Sequence, residues 1–285
     1  MRIGWGRAVA RLTVLVAGFA VLAACASAPL TQRLHGTGHE IVADHVPVPT
    51  ASGGVSLVAH YDPTRHHAPW ILYVHGGYWS SGNGGGNEVW SERLRLQGFQ
   101  VFSVDYRLSQ VAKWPGPLDD VKAAIGFLRS HAATYGLDPT RGDLVGFSAG
   151  GQLATIAGLE TGVAGVVDLD GSVDPLAALS APNKELGRAA RQLLGCAPSA
   201  CPAGWQDART ITHVDATSPP FLIVHSREDP TVPLGQSVAL ARALRAAGRP
   251  VQLFVVSSRR HENISLPAVN SRVNRFLAAT THPSG

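Results

Sequence analysis

Ser148 sits inside Gly146-Phe147-Ser148-Ala149-Gly150, a G-x-S-x-G pattern preceded by an apolar strand and followed by Gly151, Leu153 and Ala154, which suit a helix packed closely on that strand. A serine on such a sharp strand-to-helix turn projects its Oγ from the end of a sheet, and glycines flank it because the turn crowds the neighbouring backbone. The chemistry this allows is nucleophilic attack on a carbonyl, with the helix N-terminus offering amides and a positive dipole end to the developing oxyanion. A second pattern, His75-Gly76-Gly77-Tyr78-Trp79, follows the apolar run Trp70 to His75. Its glycines let backbone N–H groups approach a substrate oxygen with no Cβ in the way. A serine hydroxyl is a weak nucleophile near neutrality, so it needs a base within hydrogen-bond reach and a carboxylate to orient that base.

These residues need a scaffold, and the chain alternates strand and helix signals. Val55 to His60 reads as an edge strand, Trp70 to His75 and Val101 to Val104 as buried strands, and Leu118 to His131 as an amphipathic helix with Val121, Ile125 and Leu128 on one face. Asp143 to Gly146, Gly165 to Leu169, Phe221 to His225 and Gln252 to Val256 repeat the strand signal. Val238 to Ala247 is a helix stopped by Gly248 and Pro250, and the last helix opens with Ser265 as N-cap and Pro267 just inside. This alternation predicts a doubly wound, mostly parallel sheet covered on both faces. Residues 172–217 lack strand signals and are expected to form a small helical insertion near the carboxyl edge of the sheet. Ser80 to Asn87 is glycine-rich but lacks the Gly-Lys-Ser/Thr ending of a phosphate loop, so it reads as a flexible loop.

The motifs His75-Gly76-Gly77-Tyr78-Trp79, Asp105-Tyr106-Arg107, Asp119-Asp120, Tyr135-Gly136-Leu137-Asp138-Pro139 and Gly146 to Gly151 together resemble the α/β-hydrolase superfamily. Within it the chain is similar to carboxylesterases of the hormone-sensitive-lipase, feruloyl-esterase-like and kynurenine-formamidase-like groups, from about residue 50 to 280. The resemblance implies an α/β-hydrolase fold with an eight-stranded sheet and a triad in the order Ser, Asp, His. Phe221-Leu-Ile-Val-His225 followed by Ser-Arg-Glu-Asp229-Pro-Thr-Val-Pro233 matches the family's HGxxDxxVP turn, with Ser226 in place of the usual glycine. Asp229 is then the orienting acid, with the adjacent Glu228 as its competitor. His261, after the last strand, takes the place of the base, and Arg260 stands where many relatives carry glycine.

The implied chemistry is ester hydrolysis through an acyl-enzyme on Ser148, with an oxyanion hole from the amides of Gly76, Gly77 and Ala149, no metal and no cofactor. His75 is expected to brace the oxyanion turn, Arg107 to pair with an acid such as Asp120, and Tyr78 and Trp79 to line a substrate pocket. The expected partner is a small-molecule ester. Alternatives are an acetyl or feruloyl polysaccharide esterase, an aryl formamidase, and a non-catalytic envelope binding protein of the same fold.

Length and composition agree with one large domain. The 285 residues are 45% hydrophobic and 15% charged, neither a disordered tail nor a coiled coil. Residues 1–11 carry three arginines and no acid, and no charged side chain falls between Leu12 and Gln32. Leu22-Ala23-Ala24-Cys25 resembles the lipobox of bacterial lipoproteins, which implies a signal peptide over 1–24, lipidation of Cys25, a tether over 25–44 and the hydrolase domain over 45–285. The rival reading, an uncleaved membrane helix, is opposed by Pro29 and the polar run after Cys25. Losing Arg2, Arg7 and Arg11 takes the formal charge from +4 to +1, which disfavours nucleic acid as a partner. The expected address is extracytoplasmic, on the bacterial envelope, held there by acyl chains. Cys196 and Cys201 are then spaced to pair in an oxidising compartment, and no nearby His or second Cys couple completes a metal site.

Overall fold

The computed structural model describes residues 31–32 and 41–281. Among the described residues nine strands form one sheet: β1 (Thr31–Gln32), β2 (Ile41–Pro47), β3 (Ser56–Tyr61), β4 (Ala68–Val74), β5 (Gln100–Asp105), β6 (Leu137–Phe147), β7 (Gly165–Leu169), β8 (Phe221–Ser226) and β9 (Val251–Val256). Their spatial order is β1-β2-β3-β5-β4-β6-β7-β8-β9. The pairs from β1 to β5 are antiparallel, and β5, β4, β6, β7, β8 and β9 run parallel. The eight longer strands equal in number those the resemblance implies; β3 to β9 answer to the seven runs read from the sequence, whereas β2 and the two-residue β1 were not read as strands.

Helices cover both faces, which is why β4 is buried at every position and reads as a continuous apolar run. Its side chains alternate between two cores. Trp70, Leu72 and Val74 pack with residues of α2 (Gly116–Ser130), α4 (Ala149–Thr161) and α8 (Gly235–Ala246), among others. Ile71 and Tyr73 pack with Trp90 and Leu94 of α1 (Glu88–Leu96) and with Val269, Val273, Phe276 and Leu277 of α9 (Pro267–Thr281). The period of two in the strand thus divides one apolar run between two layers. A short α3 (Ala132–Tyr135) leads into β6.

Two expectations need correction. The strand near Val55 to His60 is not an edge: β3 lies between β2 and β5, because β1 and the start of β2, inside the span expected as a tether, add strands outside it. The glycine-rich segment after Ser80 is not simply a loop. Gly84–Asn87 forms a 3-10 turn whose Gly84 N–H donates to Asp105 Oδ1 at 2.6 Å, and α1 follows directly. That helix was unforeseen because its apolar face is short, with Trp90 and Leu94 among charged neighbours.

Between β7 and β8 lie α5 (Pro175–Ala178), α6 (Lys184–Leu194) and α7 (Pro202–Asp207). α6 buries Leu186, Ala189, Ala190, Leu193 and Leu194 on one stripe, and Asn183 caps it by accepting from the Glu185 N–H at 2.9 Å. A disulfide joins Cys196 and Cys201 in the connection to α7. On the other side of the sheet order, Arg107 donates its backbone N–H, Nε and Nη2 to Asp120, whose side chain is buried on α2. Removing one partner of a pair this closed leaves an uncompensated charge, a loss of about 3–5 kcal/mol. Cys25 and the segment before it lie outside the described residues. Among the described residues no helix is long and apolar enough to cross a membrane.

Candidate active site

Strand register gathers the site. Val74 pairs with Gly146, Phe147 with Leu169, and Ser226 with Val256, so the carboxyl ends of β4, β6, β7, β8 and β9 form one edge. The segments beyond them are the two glycine-containing motifs and the turns bearing Asp229 and His261.

Ser148 occupies the junction of β6 and α4 with φ +54° and ψ −117°, a backbone conformation that L-residues avoid and that functional sites retain. Its N–H donates to Leu169 O at 3.0 Å, and its carbonyl accepts from Gly151 and Ser172, both at 3.0 Å. These bonds hold the strained turn. Position 150 admits only glycine: a Cβ there would fall 2.1 Å from Val74 O and 2.4 Å from His75 O, where α4 meets the end of β4.

His261 Nε2 lies 2.7 Å from Ser148 Oγ, and His261 Nδ1 lies 2.8 Å from Asp229 Oδ2. A carboxylate only accepts, so Nδ1 carries the proton and Nε2 is free to accept from the serine hydroxyl. Asp229 is pinned through its other oxygen, which accepts from Thr231 N–H at 2.7 Å and Val232 N–H at 3.0 Å. Its side chain is fully buried, while the competing Glu228 is exposed and pairs with Arg259 at 2.8 Å. Ser148, Asp229 and His261, remote in sequence, therefore meet in one hydrogen-bonded row.

The glycine turn after β4 is braced by its neighbours. His75 Nδ1 donates to Gly76 O at 2.7 Å, and burial lowers the pKa of this ring, which keeps it neutral. Tyr106 stacks on His75 with ring centroids 4.3 Å apart and donates its hydroxyl to His75 O at 3.0 Å. Both peptide carbonyls are thereby fixed by hydrogen bonds, and planar trans peptides fix the N–H groups of Gly76 and Gly77 with them. Gly77 has φ +114°, and Gly76 lies against Ser148, since a Cβ on it would approach that of Ser148 to 3.1 Å. Ala149, the first residue of α4, directly follows Ser148.

The two aromatic residues behave differently. Trp79 is completely buried, with its indole N–H donating to Gln152 Oε1 at 2.8 Å, so it belongs to the core and does not line a pocket. Tyr78 is half-buried and its hydroxyl accepts from Asn183 at the start of α6, at 3.1 Å, tying the glycine turn after β4 to the insertion. Beside the His261 loop a cleft of about 530 Å³ is lined by Gly85, Val89, Trp90, Arg93, Glu262 and Ile264.

Several contributors were not legible as site residues. His225 is buried and neutral, its pKa lowered by burial. Its Nε2–H donates to Val232 O at 2.9 Å, and its Nδ1 accepts from Ser237 Oγ at 2.7 Å, which fixes the Asp229 turn from within. Asp170, one residue past β7, has φ +49° and a carboxyl pushed up to about 7 by burial. The signal available was an acid ending the apolar run Val166-Val167-Asp168-Leu169-Asp170. Asp170, His225 and Asp229 also bring one ligand-capable atom each within 4.8 Å of one another. Both ring nitrogens of His225 and the facing oxygen of Asp229 are engaged in the bonds above, so this donor set is spent on internal hydrogen bonds.

Residues 60–244 match the BD-FAE family model. Among curated proteins, the chain is 32% identical over 206 residues to "Esterase LipC" of Mycobacterium tuberculosis, covering 66% of this chain and 50% of that protein. It is 30% identical over 223 residues to "Esterase LipQ" of the same organism, covering 72% and 53%. The chain spans about half the length of these relatives. Among solved structures, a truncated carbohydrate esterase from gut microbiota superposes with a TM-score of 0.69 at 26% identity, over 82% of this chain and 93% of that one.

Proposed function

The chain belongs to the BD-FAE family and has the α/β-hydrolase fold, and from that premise we propose that it is a serine carboxylesterase working through Ser148, His261 and Asp229. The observation that supports this reading is the continuous row from Ser148 Oγ through His261 to Asp229 Oδ2, at 2.7 and 2.8 Å. His261 takes the Ser148 proton as the oxygen attacks the ester carbonyl. The oxyanion is received by the amides of Gly76 or Gly77 and of Ala149, the alcohol leaves with the proton held on His261, and water then cleaves the acyl-enzyme by the same route. Every step uses side chains and amides of this chain.

A fluorophosphonate probe tests the nucleophile directly. The expected result is one covalent adduct, mapped to Ser148 by peptide mass spectrometry. Folded protein that stays unlabelled would instead favour a binding protein of the same fold. The substrate class follows from chromogenic esters of graded acyl length run beside acetylated xylan, feruloyl esters and an aryl formamide. Preference for the acetylated or feruloylated polysaccharide is the second reading, favoured by the name of the carbohydrate esterase that superposes on the chain.

The same proposal includes the N-terminus: Cys25 as a lipidated first residue that holds the enzyme on an envelope membrane outside the cytoplasm. Two or three acyl chains on one residue anchor durably, whereas one does not. Cys25→Ser is expected to move the protein from the membrane fraction to the soluble fraction of its host. Persistence in the membrane fraction would support an uncleaved helix in place of the lipid.

A further inference from the structure

The loop that carries His261 leaves β9 and returns to α9, and its exposed contacts are slight. The ion pair between Arg259 and Glu228, for example, has both side chains more than half exposed and contributes little. Its firm attachment is buried. Asn263, two residues past His261 and 2% exposed, shares the two hydrogens of Nδ2 among three acceptors, Asp170 Oδ2 at 3.1 Å, Ser226 Oγ and, as the longest branch, Arg260 O at 3.3 Å. Ser226, the last residue of β8 and itself fully buried, donates its hydroxyl to Arg260 O and its N–H to Asp170 Oδ1 at 2.8 Å. Arg260 is the residue immediately before His261. The two positions where this chain departs from the pattern it resembles, Ser226 and Arg260, are thus the two ends of one hydrogen bond.

We propose that Asp170, Ser226 and Asn263 form a buried clamp on the Arg260 carbonyl, and that Ser226 and Asn263 are positioning residues which set the reach of His261 to Ser148. The chain of causes is short. Asp170 accepts from the strand end of β8 and from the loop, so it ties the two together. Ser226 Oγ accepts from Asn263 while donating to Arg260 O, and a hydroxyl is the one small side chain able to do both. Glycine or alanine at 226 leaves the Arg260 carbonyl with only the longer bond from Asn263. A carbonyl released one residue before the base lets the imidazole drift, and misplacement of a catalytic group by about 1 Å costs on the order of 100-fold in rate. Smaller drift costs proportionately less. The raised pKa of Asp170 follows from the same burial that makes the clamp rigid.

This inference rests on the triad reading above, and its test separates the two. Ser226→Ala, Asn263→Ala and the double variant are compared with wild type for hydrolysis of a chromogenic acetate, rate of fluorophosphonate labelling and Tm. For Ser226→Ala we expect kcat and the labelling rate to fall together by roughly tenfold, with KM within about twofold, because substrate contacts are untouched while the base is misplaced. The double variant should lose little more than Asn263→Ala, since both substitutions break one clamp. The low-field proton resonance of the His261 Nδ1–H should broaden or shift in Ser226→Ala, which a change in bulk stability alone would not cause. A wild-type protein that neither labels nor hydrolyses sinks the triad reading and the clamp with it. A labelling wild type whose Ser226→Ala variant reacts at the same rate, or loses activity only through KM, overturns the clamp and leaves the triad standing.

Discussion

Ser148→Ala is expected to abolish ester turnover, lowering kcat by about 10⁴- to 10⁶-fold, equivalent to about 5–8 kcal/mol of transition-state stabilisation. In the proposed mechanism the hydroxyl is the atom that forms the acyl bond, and among the described residues the side chain bonded to it is the His261 imidazole. The His261 ring would remain held by Asp229 but would face a methyl group in place of Oγ. Stability should change by no more than about 1 kcal/mol. Among the described residues the serine side chain bonds only to His261, and the turn is held by backbone bonds to Leu169, Gly151 and Ser172 that alanine keeps. The check is kcat/KM on a chromogenic ester beside a thermal melt. Retention of more than about 1% of wild-type turnover by a folded variant removes Ser148 from the mechanism.

Asp229→Asn is expected to cost about 10³- to 10⁴-fold in kcat with the fold intact. The geometry dictates how. Asp229 Oδ1 accepts from two backbone N–H groups, so the carbonyl oxygen of an asparagine must stay there and its NH₂ must face His261. An amide donor opposite Nδ1 forces the other tautomer, which puts the proton on Nε2 and points it at Ser148. A base that already carries a proton on the reacting nitrogen cannot take another from the serine. Glu228→Gln, one residue away, should leave the rate within about threefold, because that carboxylate is exposed and bound to Arg259. Equal losses at 228 and 229, or a negligible loss at 229, would contradict Asp229 as the orienting acid.

Much of the architecture was readable before any coordinates. Short apolar runs at Trp70, Val101, Gly165 and Phe221 mark strands buried on both faces, and α2 carries one apolar stripe toward them. The G-x-S-x-G turn is legible for the same reason. Close packing of α4 against β4 excludes any Cβ at Gly150, so the need is written locally in the residue type. Resemblance to known hydrolases supplied the positions of Asp229 and His261, which periodicity does not reveal.

Other features were decided only when the chain closed on itself. Tyr78 and Trp79 are adjacent, and both have positive φ, so neither strand nor helix periodicity says which ring turns inward. Trp79 does, because Gln152 on α4 offers its indole a partner, whereas Tyr78 reaches Asn183 on the insertion. The outer strands β1 and β2 were missed because pairing with β3 depends on a distant partner's free edge. The same holds for Asp170, His225, Ser226 and Asn263. Residue type and spacing determined the strands, the strained serine turn and the glycines that local sterics demand. Tertiary structure alone determined which buried acid meets which loop, because those contacts depend on the register of parallel strands far apart in sequence.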